Sequence, residues 1–472
     1  MFAAFCVRRR KRRAARFAAA AIASGLVAAG AAVGVTPAAA DEAPQHQGGA
    51  AATLNGLTTF HQAVLHIGNQ TQQLPAGLFE MTVDGGGTLK TYCIDVHNPT
   101  QENARYLETS WDQTSLGGNK DAGRIRWILQ HSYPQVDDLV GLAKEAGTGP
   151  LTPETAAAGT QVAIWRYSDG AEVEALDPAA EKLADWLQGE AGSVAEPEAS
   201  LRLEPGAVAG PAGTRLGPVT VRTNADRVAV SPPADAAASG VRITDATGNP
   251  VDSAVNGSSL YFDVPAGAAD GTAALSVQGT TSVPVGRAFA GVTRSQTQIL
   301  AGSSRSTVSA TATATWGTTG AIPALSARKN CAKGGVDITA TNKGAAPFSY
   351  ELMGLRYTVE AGATRTVTIP VAEDQAYQLT VTAPGGFTKT FKGVLDCRTT
   401  GSTATMAGQP GSQPSPLSGG STPGAGTATA GGETDLDLAE TGASGATPMI
   451  AGTAIAFLLI GGAAVLFLRK KS

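Results

Sequence analysis

The stretch Thr91-Tyr92-Cys93-Ile94-Asp95 carries the residue from which the rest of the chain is interpreted, the thiol of Cys93. Further along the chain comes Gly159-Thr160-Gln161-Val162-Ala163-Ile164-Trp165, with a glutamine at its centre. A thiol and a glutamine amide held together can condense. The thiolate attacks the amide carbon, ammonia leaves, and an internal thioester remains. We therefore predict that the fold brings Cys93 and Gln161 into contact.

Cys93 stands out because the other cysteines have simpler roles. The chain has four cysteines, and Cys6 lies in a segment typical of a removed signal peptide. Cys331 and Cys397 bracket a short strand-rich stretch, which predicts a disulfide between them. Cys93 is then a single thiol in an exported protein, and an unpaired cysteine in that setting indicates a reactive or specially protected group.

Both ends of the chain have the composition of targeting segments. Residues 1–40 contain a basic run at 8–13, an Ala/Val-rich run and a small-residue cleavage site before Asp41, which together predict a signal peptide. At the other end, the uncharged span 448–468 would be roughly 31 Å long as a helix. That length crosses a bilayer core of about 30 Å. The basic tail that follows predicts a transmembrane helix with its C-terminus inside the cell.

A pentapeptide precedes this span, and its residues are Leu438, Ala439, Glu440, Thr441 and Gly442. The motif, the apolar span and the basic tail, in that order, resemble a sortase wall-sorting signal of the LAxTG kind. The resemblance implies that a sortase cuts between Thr441 and Gly442 and joins Thr441 to peptidoglycan. It also implies a location outside the cell, covalently attached to the wall of a Gram-positive bacterium. The alternative is an ordinary single-pass anchor with a chance pentapeptide.

The charge of the processed chain argues against nucleic-acid binding. The full chain has a formal net charge of −4, and processing removes seven basic residues in front and three at the back, but no acidic ones, which leaves −14. Phosphate contacts need clustered Lys and Arg, so we expect no nucleic-acid partner.

Composition divides the chain into segments. We predict a multidomain fold with an α+β or β-rich head that contains short helices, two β-sandwich (Ig-like) modules, a disordered linker and one C-terminal transmembrane helix. Within the head, Thr152-Pro153 and Asp177-Pro178 predict helix starts. The predicted segments are the head at 54–199, a β-sandwich stalk module at 200–317, a disulfide-tied β-sandwich module at 324–398, a wall-spanning linker at 399–437 and the sorting signal at 438–472.

The two motifs of the head resemble the thioester domain of Gram-positive surface proteins, also called the TQXA domain. Tyr-Cys-Ile-Asp around Cys93 and Thr-Gln-Val-Ala-Ile-Trp around Gln161 carry the resemblance, and Tyr133-Pro134 adds to it, although Ser132 stands where glycine is usual. The resemblance implies that Cys93 supplies the sulfur and Gln161 the acyl carbon. It also implies that an amine on a partner, such as the side chain of a lysine, attacks that carbon and forms an amide. The protein would then be a single-turnover covalent adhesin and not an enzyme.

Two other functions fit some of the same residues. A Cys–His enzyme, similar to a transglutaminase or peptidase, could use Cys93 as nucleophile with His97 or His131 as base. Such an enzyme would not need Gln161. A passive, non-covalent wall adhesin or spacer could bind through its β-modules.

The sequence also lacks the residues that some other reactions and ligands would need. No lysine occurs from Leu183 to Arg328, so the middle module cannot contain a Lys–Asn isopeptide crosslink. The sequence has no phosphate-binding glycine loop and no metal-ligand spacing, so we expect neither a cofactor nor a metal.

Overall fold

The computed structural model describes residues 48–383 and 387–399, all within the compact unit Met1–Ser415. The predicted signal peptide, the linker from residue 400 onward, the sorting signal and the span 448–468 lie outside this part of the chain. Within the described ranges, none of the helices has the length and apolar character needed to cross a membrane.

The described strands in chain order are β1 (Ala51–Ile67), β2 (Gln70–Val83), β3 (Thr88–Cys93), β4 (Arg105–Thr109), β5 (Val173–Ala175), β6 (Leu201–Glu204), β7 (Ala207–Pro211), β8 (Arg215–Thr223), β9 (Val228–Ser231), β10 (Arg242–Thr244), β11 (Ser253–Ala254), β12 (Ser259–Asp263), β13 (Gly271–Ser282), β14 (Ala288–Gly291), β15 (Gln298–Ser303), β16 (Arg305–Gly317), β17 (Pro323–Asn330), β18 (Gly335–Asn342), β19 (Phe348–Leu352), β20 (Leu355–Val359), β21 (Thr364–Pro370), β22 (Ala376–Ala383) and β23 (Phe387–Val394). The helices are α1 (Ala122–Gln130), α2 (Leu139–Glu145), α3 (Pro153–Ser168), α4 (Pro178–Glu190) and α5 (Ala236–Ser239), with short 3-10 helices at Trp111–Gln113, Ser115–Gly118 and Cys331–Lys333.

The head is built on a seven-stranded sheet in the order β2-β3-β15-β14-β4-β1-β5. β1 pairs with β2 as well as with β4, so six of these strands form a closed ring and β5 adds to β1 at its other end. β1 and β2 form a long hairpin whose two-residue turn starts at Gly68, with φ of 58°. A two-residue hairpin turn favours positive φ, which glycine adopts without steric cost.

Helix α3 is the central helix of the head. The sequence sets its start, because the Thr152 side chain accepts the backbone N–H of Thr155 in a capping box and Pro153 occupies the first turn. Its next residues are mostly small, and twelve of its 16 residues are buried. A helix that is apolar all round is buried all round, and α3 contacts β1, β2, β3 and β5 as well as α1 and α4. The second predicted helix start is confirmed by α4, which Asp177 caps.

The ring includes two strands from far along the chain. β15 pairs with β3 and β14 pairs with β4, so both lie between two strands of the head. The sheet therefore crosses the boundary predicted between residues 199 and 200. Without β14 and β15, both β3 and β4 would present unpaired backbone groups at a sheet edge. The predicted stalk module thus supplies part of the head.

The remainder of 200–317 forms a four-stranded sheet, β10-β12-β8-β6, and a five-stranded sheet, β11-β9-β13-β16-β7. Buried side chains of both sheets belong to the same apolar core as those of the head. Residues 323–394 form two further sheets, β17-β18-β21 and β20-β19-β22-β23, around a core of their own. The prediction of a strand-rich chain with short helices in the head is confirmed. The Ig-like character of the two modules stays a prediction.

The predicted disulfide between Cys331 and Cys397 is present, with Cα atoms 5.1 Å apart. It joins the end of β17 to the segment that follows β23, so it links the first and last strands of its module. This segment also contacts the head, because Asp396 accepts a hydrogen bond from the Thr297 hydroxyl and Thr399 donates one to the Ser168 carbonyl.

Candidate functional site

Cys93 is the last residue of β3 and lies inside the ring sheet. Its side chain is buried, with 2% of the residue exposed, and it is the free cysteine of the described residues. On β15, Gln298 is its register partner. The thiol is therefore held on a central strand, whose position is determined by pairing on both sides.

Gln161 lies in the middle of α3 and is fully buried. Its side-chain amide forms two hydrogen bonds with the backbone of Cys93. The Cys93 N–H donates to Gln161 Oε1 at 3.0 Å, and Gln161 Nε2 donates to the Cys93 carbonyl at 2.8 Å. The predicted meeting of Cys93 and Gln161 is thus present in the fold.

This pair of hydrogen bonds also fixes the orientation of the Gln161 amide. The N–H of Cys93 points at the oxygen that would carry negative charge when a nucleophile adds to the amide carbon. A backbone donor aimed at a developing oxyanion is the usual way in which proteins stabilise such an intermediate. The second hydrogen bond fixes the nitrogen that would leave as ammonia.

A second glutamine, Gln298, contacts the sulfur itself. Its Nε2 lies 3.1 Å from Cys93 Sγ, and its Oε1 accepts a hydrogen bond from the Thr91 hydroxyl at 3.1 Å. Gln298 is fully buried. Sequence reasoning missed this residue, since 205 positions separate it from Cys93 and only the strand pairing brings it near. Local sequence can indicate a strand at this place, but not the partner of that strand.

Burial dominates the electrostatics of the thiol. Desolvation raises the pKa of Cys93 far above its ordinary value, the Gln298 hydrogen bond opposes this shift, and the carboxyl groups of Asp95 and Asp169 add to it. At neutral pH the sulfur therefore carries a proton. Thioester formation leaves the net charge of the site unchanged, because the thiol proton is transferred to the nitrogen that leaves as ammonia.

Asp95 forms a turn directly after the cysteine. Its carboxyl group accepts the backbone N–H groups of His97 and Asn98 at 2.9 and 3.2 Å. Burial raises its pKa to about 7, in spite of these hydrogen bonds. Burial likewise raises the pKa of Asp169 well above its usual range. The site is therefore surrounded by carboxyl groups that gain protons more readily than usual.

The two histidines of the alternative enzyme hypothesis have other surroundings. His131 is exposed, and its ring stacks on Trp127 with centroids 3.9 Å apart. His97 is exposed, and its backbone N–H is the group that contacts Asp95. Within the described residues, the side chain that hydrogen-bonds Cys93 Sγ is Gln298.

The stretch Ser132-Tyr133-Pro134, which adds to the resemblance carried by the two motifs, also lies at the site. Tyr92 donates its hydroxyl proton to the carbonyl of Tyr133 at 2.8 Å, and the Tyr133-Pro134 peptide bond is cis. Ser132 is fully buried and donates to the Ile128 carbonyl at 2.7 Å. Ser132, which stands where glycine is usual, therefore has a hydrogen-bond acceptor for its buried hydroxyl group.

An acidic group lies in the disulfide module beside the head. Ligand atoms of Glu373, Asp374 and Asp396 lie within 4.8 Å of one another. The ammonium group of Lys329 interacts with Asp396 and Glu373. We assign no ion to this group, because a lysine already supplies positive charge there.

Comparison with known families agrees with the geometry. Residues 90–193 match the family model "Thioester domain", and residues 323–394 match "Bacterial phospholipase C, C-terminal domain". The first range contains both Cys93 and Gln161, so the match covers both residues of the candidate site. The second range coincides with the disulfide module. No curated protein matches the chain.

Among solved structures, the chain is similar to the Bacillus anthracis TIE protein, with 13% identity over 73% of this chain and 80% of that one and a TM-score of 0.27. It is also similar to the thioester domain of the Enterococcus faecium TIE86 protein, with 15% identity over 57% of this chain and 97% of that one and a TM-score of 0.26.

Proposed function

We propose that this protein is a surface adhesin whose Cys93–Gln161 thioester captures an amine on a partner. The observation that carries the proposal is the pair of hydrogen bonds between the Gln161 amide and the Cys93 backbone, both buried. These hydrogen bonds hold the Gln161 amide against the backbone of Cys93, the free cysteine of the described residues.

The proposed chemistry has two balanced steps. First, Cys93 Sγ bonds to the Gln161 side-chain carbon, the carbon–nitrogen bond breaks, and ammonia leaves with the thiol proton. Then a partner's amine bonds to the same carbon and the carbon–sulfur bond breaks. The amine proton passes to sulfur, so the products are a Gln161 amide and a free Cys93 thiol.

Burial gives this bond its lifetime. Gln161 is fully buried and Cys93 nearly so, which excludes water from the electrophilic carbon. An incoming amine then needs a local opening of the site, and such openings are common in native proteins. A covalent product suits a surface protein, because non-covalent complexes have finite residence times.

The captured amine is a lysine of a partner protein or an amine of another surface ligand. The capture is a single event, since Gln161 is consumed, and we therefore class the protein as a covalent binder and not an enzyme. The chain is secreted and joined to peptidoglycan through Thr441 by a sortase. Support for this placement comes from the sequence signals at the two ends, which lie outside the described residues.

The test is incubation of the full secreted chain with methylamine. We expect one adduct per molecule, mapped to Gln161, together with one newly alkylatable thiol at Cys93. Cys93→Ala and Gln161→Glu are the matched controls and should give no adduct. Adducts on a separate acceptor over many cycles, or activity retained in Gln161→Glu, would instead indicate the Cys–His enzyme.

Wall attachment has its own test. Thr441→Ala should leave the chain in the membrane fraction or the medium, whereas the natural chain should be released only by wall-digesting enzymes. Co-purification of the substituted chain with wall fragments would refute the sorting signal.

A further inference from the structure

We propose that Gln298 is a catalytic residue of the thioester site, which donates a hydrogen bond to Cys93 Sγ while the sulfur attacks and while it leaves. This inference rests on the proposed function, because it assigns a role within the same reaction. It identifies a glutamine outside both motifs and outside the stretch that matches the thioester domain family.

Three observations fix the orientation of the Gln298 side chain. The Thr91 hydroxyl donates to its Oε1, so its Nε2 must be the atom that faces sulfur. The backbone of Gln298 lies in register with Cys93 on the neighbouring strand. The side chain is fully buried, so it has little freedom to adopt another rotamer.

A donor at this position meets a specific chemical need. The thiol is buried among carboxyl groups, and both conditions disfavour the thiolate. A hydrogen bond from a neutral amide to sulfur favours the charged form without adding a positive charge to the site. The same N–H can stabilise sulfur when the carbon–sulfur bond breaks, since charge returns to sulfur in that step.

The structure also explains why Gln161, and not Gln298, supplies the acyl carbon. The Gln161 carbonyl oxygen receives the backbone N–H of Cys93, which stabilises added negative charge there. Gln298 instead presents an N–H to the sulfur, so the sulfur lone pairs meet a proton and not an electrophilic carbon. The two glutamines therefore have complementary roles, one as electrophile and one as donor.

The experiment compares Gln298→Met with Gln296→Met in the full secreted chain. Methionine keeps the length of the side chain and removes the donor. Gln296 is a matched control, because it is also a buried glutamine of the same segment, 8% exposed, and its Oε1 has no hydrogen-bond partner among the described residues. Hydrogen bonds to charged groups predict aminolysis by methylamine about ten- to a hundredfold slower in Gln298→Met. Gln296→Met should react at the rate of the natural chain.

Two further variants distinguish a role of Gln298 as hydrogen-bond donor to Cys93 Sγ from a purely structural role. Gln298→Glu can donate only while its new carboxyl group is protonated, so its rate relative to the natural chain should fall as pH rises. Thr91→Val removes the anchor of the Gln298 amide and should slow aminolysis less than Gln298→Met does. If Gln298→Met fails to fold, these two variants still test whether Gln298 donates to the sulfur. A Gln298→Glu rate ratio independent of pH would overturn the proposal.

A second measurement separates this proposal from the proposed function. In a Gln161→Ala background no thioester can form, so the rate of Cys93 alkylation by iodoacetamide depends on the thiolate fraction and on how often the buried site opens. The Gln296→Met variant in the same background controls for the opening. Adding Gln298→Met should slow that alkylation by the same factor, and adding Gln296→Met should not. Equal alkylation rates would overturn the role of Gln298 even if the natural chain forms a thioester. Mapping of the methylamine adduct to Gln298 would overturn it as well.

Discussion

Gln161 and Gln298 both contact Cys93, but they reach it from two different kinds of structure. Gln161 lies on α3, a helix within the head, and holds the cysteine backbone. Gln298 lies on β15, a strand inserted from the distant segment, and contacts the sulfur. The comparison shows that the site is assembled from two separate parts of the chain, a Gln161 side (α3) and a Gln298 side (β14 and β15).

This difference affects what can be removed from the protein. A fragment that ends at residue 199 retains the Gln161 side and loses the Gln298 side. It would also leave β3 and β4 without their partners β15 and β14, on which the position of Cys93 depends. Tests of the site therefore require the chain through at least the described residues.

The largest expected effect separates the two glutamines directly. Gln161→Glu replaces the amide by a carboxyl group, which loses the ammonia leaving group, and methylamine adducts should be abolished. Gln298→Glu should still form adducts, with a reduced rate at high pH. Peptide mapping after equal incubation checks both variants. If Gln161→Glu retained an adduct, the assignment of roles would be wrong.

The next largest effect concerns the attachment of the Gln298 side. Arg287, just before β14, donates to Glu108 at 3.0 Å, and Glu108 also accepts the N–H groups of Ala50 and Ser200. Arg287→Leu leaves a buried carboxylate without its cationic partner, which costs about 3–5 kcal/mol. Chemical denaturation measures this loss. The exposed pair of Arg242 and Asp263 is the control, and Arg242→Leu should cost less than about 1 kcal/mol. Equal losses in the two variants would contradict a structural role for the buried pair.

A dependence of stability on pH is expected at Asp396, beside the Gln298 side. Its carboxyl group accepts a hydrogen bond from the Thr297 hydroxyl. Burial raises the pKa of Asp396 to about 6. The folded protein therefore retains a proton that the unfolded chain loses near pH 4, and stability is lost as pH rises from about 4 to about 6. Asp396→Asn has no such loss, so it should gain up to about 3 kcal/mol relative to the natural chain between pH 4 and 7. Denaturation midpoints across that range measure it, and a constant difference would refute the shift.

The smallest expected effect tests the packing of the Gln161 side. Gly159 precedes the motif on α3, and a Cβ there would collide with the Ala180 carbonyl and lie 3.2 Å from Leu183 Cβ. Gly159→Ala should therefore push α3 away from α4 at a cost of about 1–3 kcal/mol, with slower thioester formation. Gly189→Ala is the control, because no atom of the described residues lies within 4 Å of its Cβ position and alanine favours a helix. Thermal unfolding compares them, and equal stability of the two variants would show that α3 tolerates the shift.

Much of the Gln161 side could be predicted from the sequence because its signals are local. Thr152, Pro153 and Asp177 mark helix starts within a few residues of where they act, and the motif places Gln161 on the helix. The Gln298 side could not be predicted in this way. Strand pairing joins residues far apart in sequence, and nothing near Gln298 specifies β3 as its neighbour. The boundary expected at residue 199 lies at a change in composition. The sheet crosses it, because β14 and β15 form backbone hydrogen bonds with β4 and β3.

The central claim is that Cys93 and Gln161 are covalently joined, and intact mass tests it most directly. The folded full secreted chain, with its disulfide allowed for, should weigh one ammonia less than its sequence predicts. Cys93→Ala and Gln161→Glu should each have the full mass of their own sequences. A natural chain at full mass, whose Cys93 is alkylated at once on unfolding, would contradict the thioester.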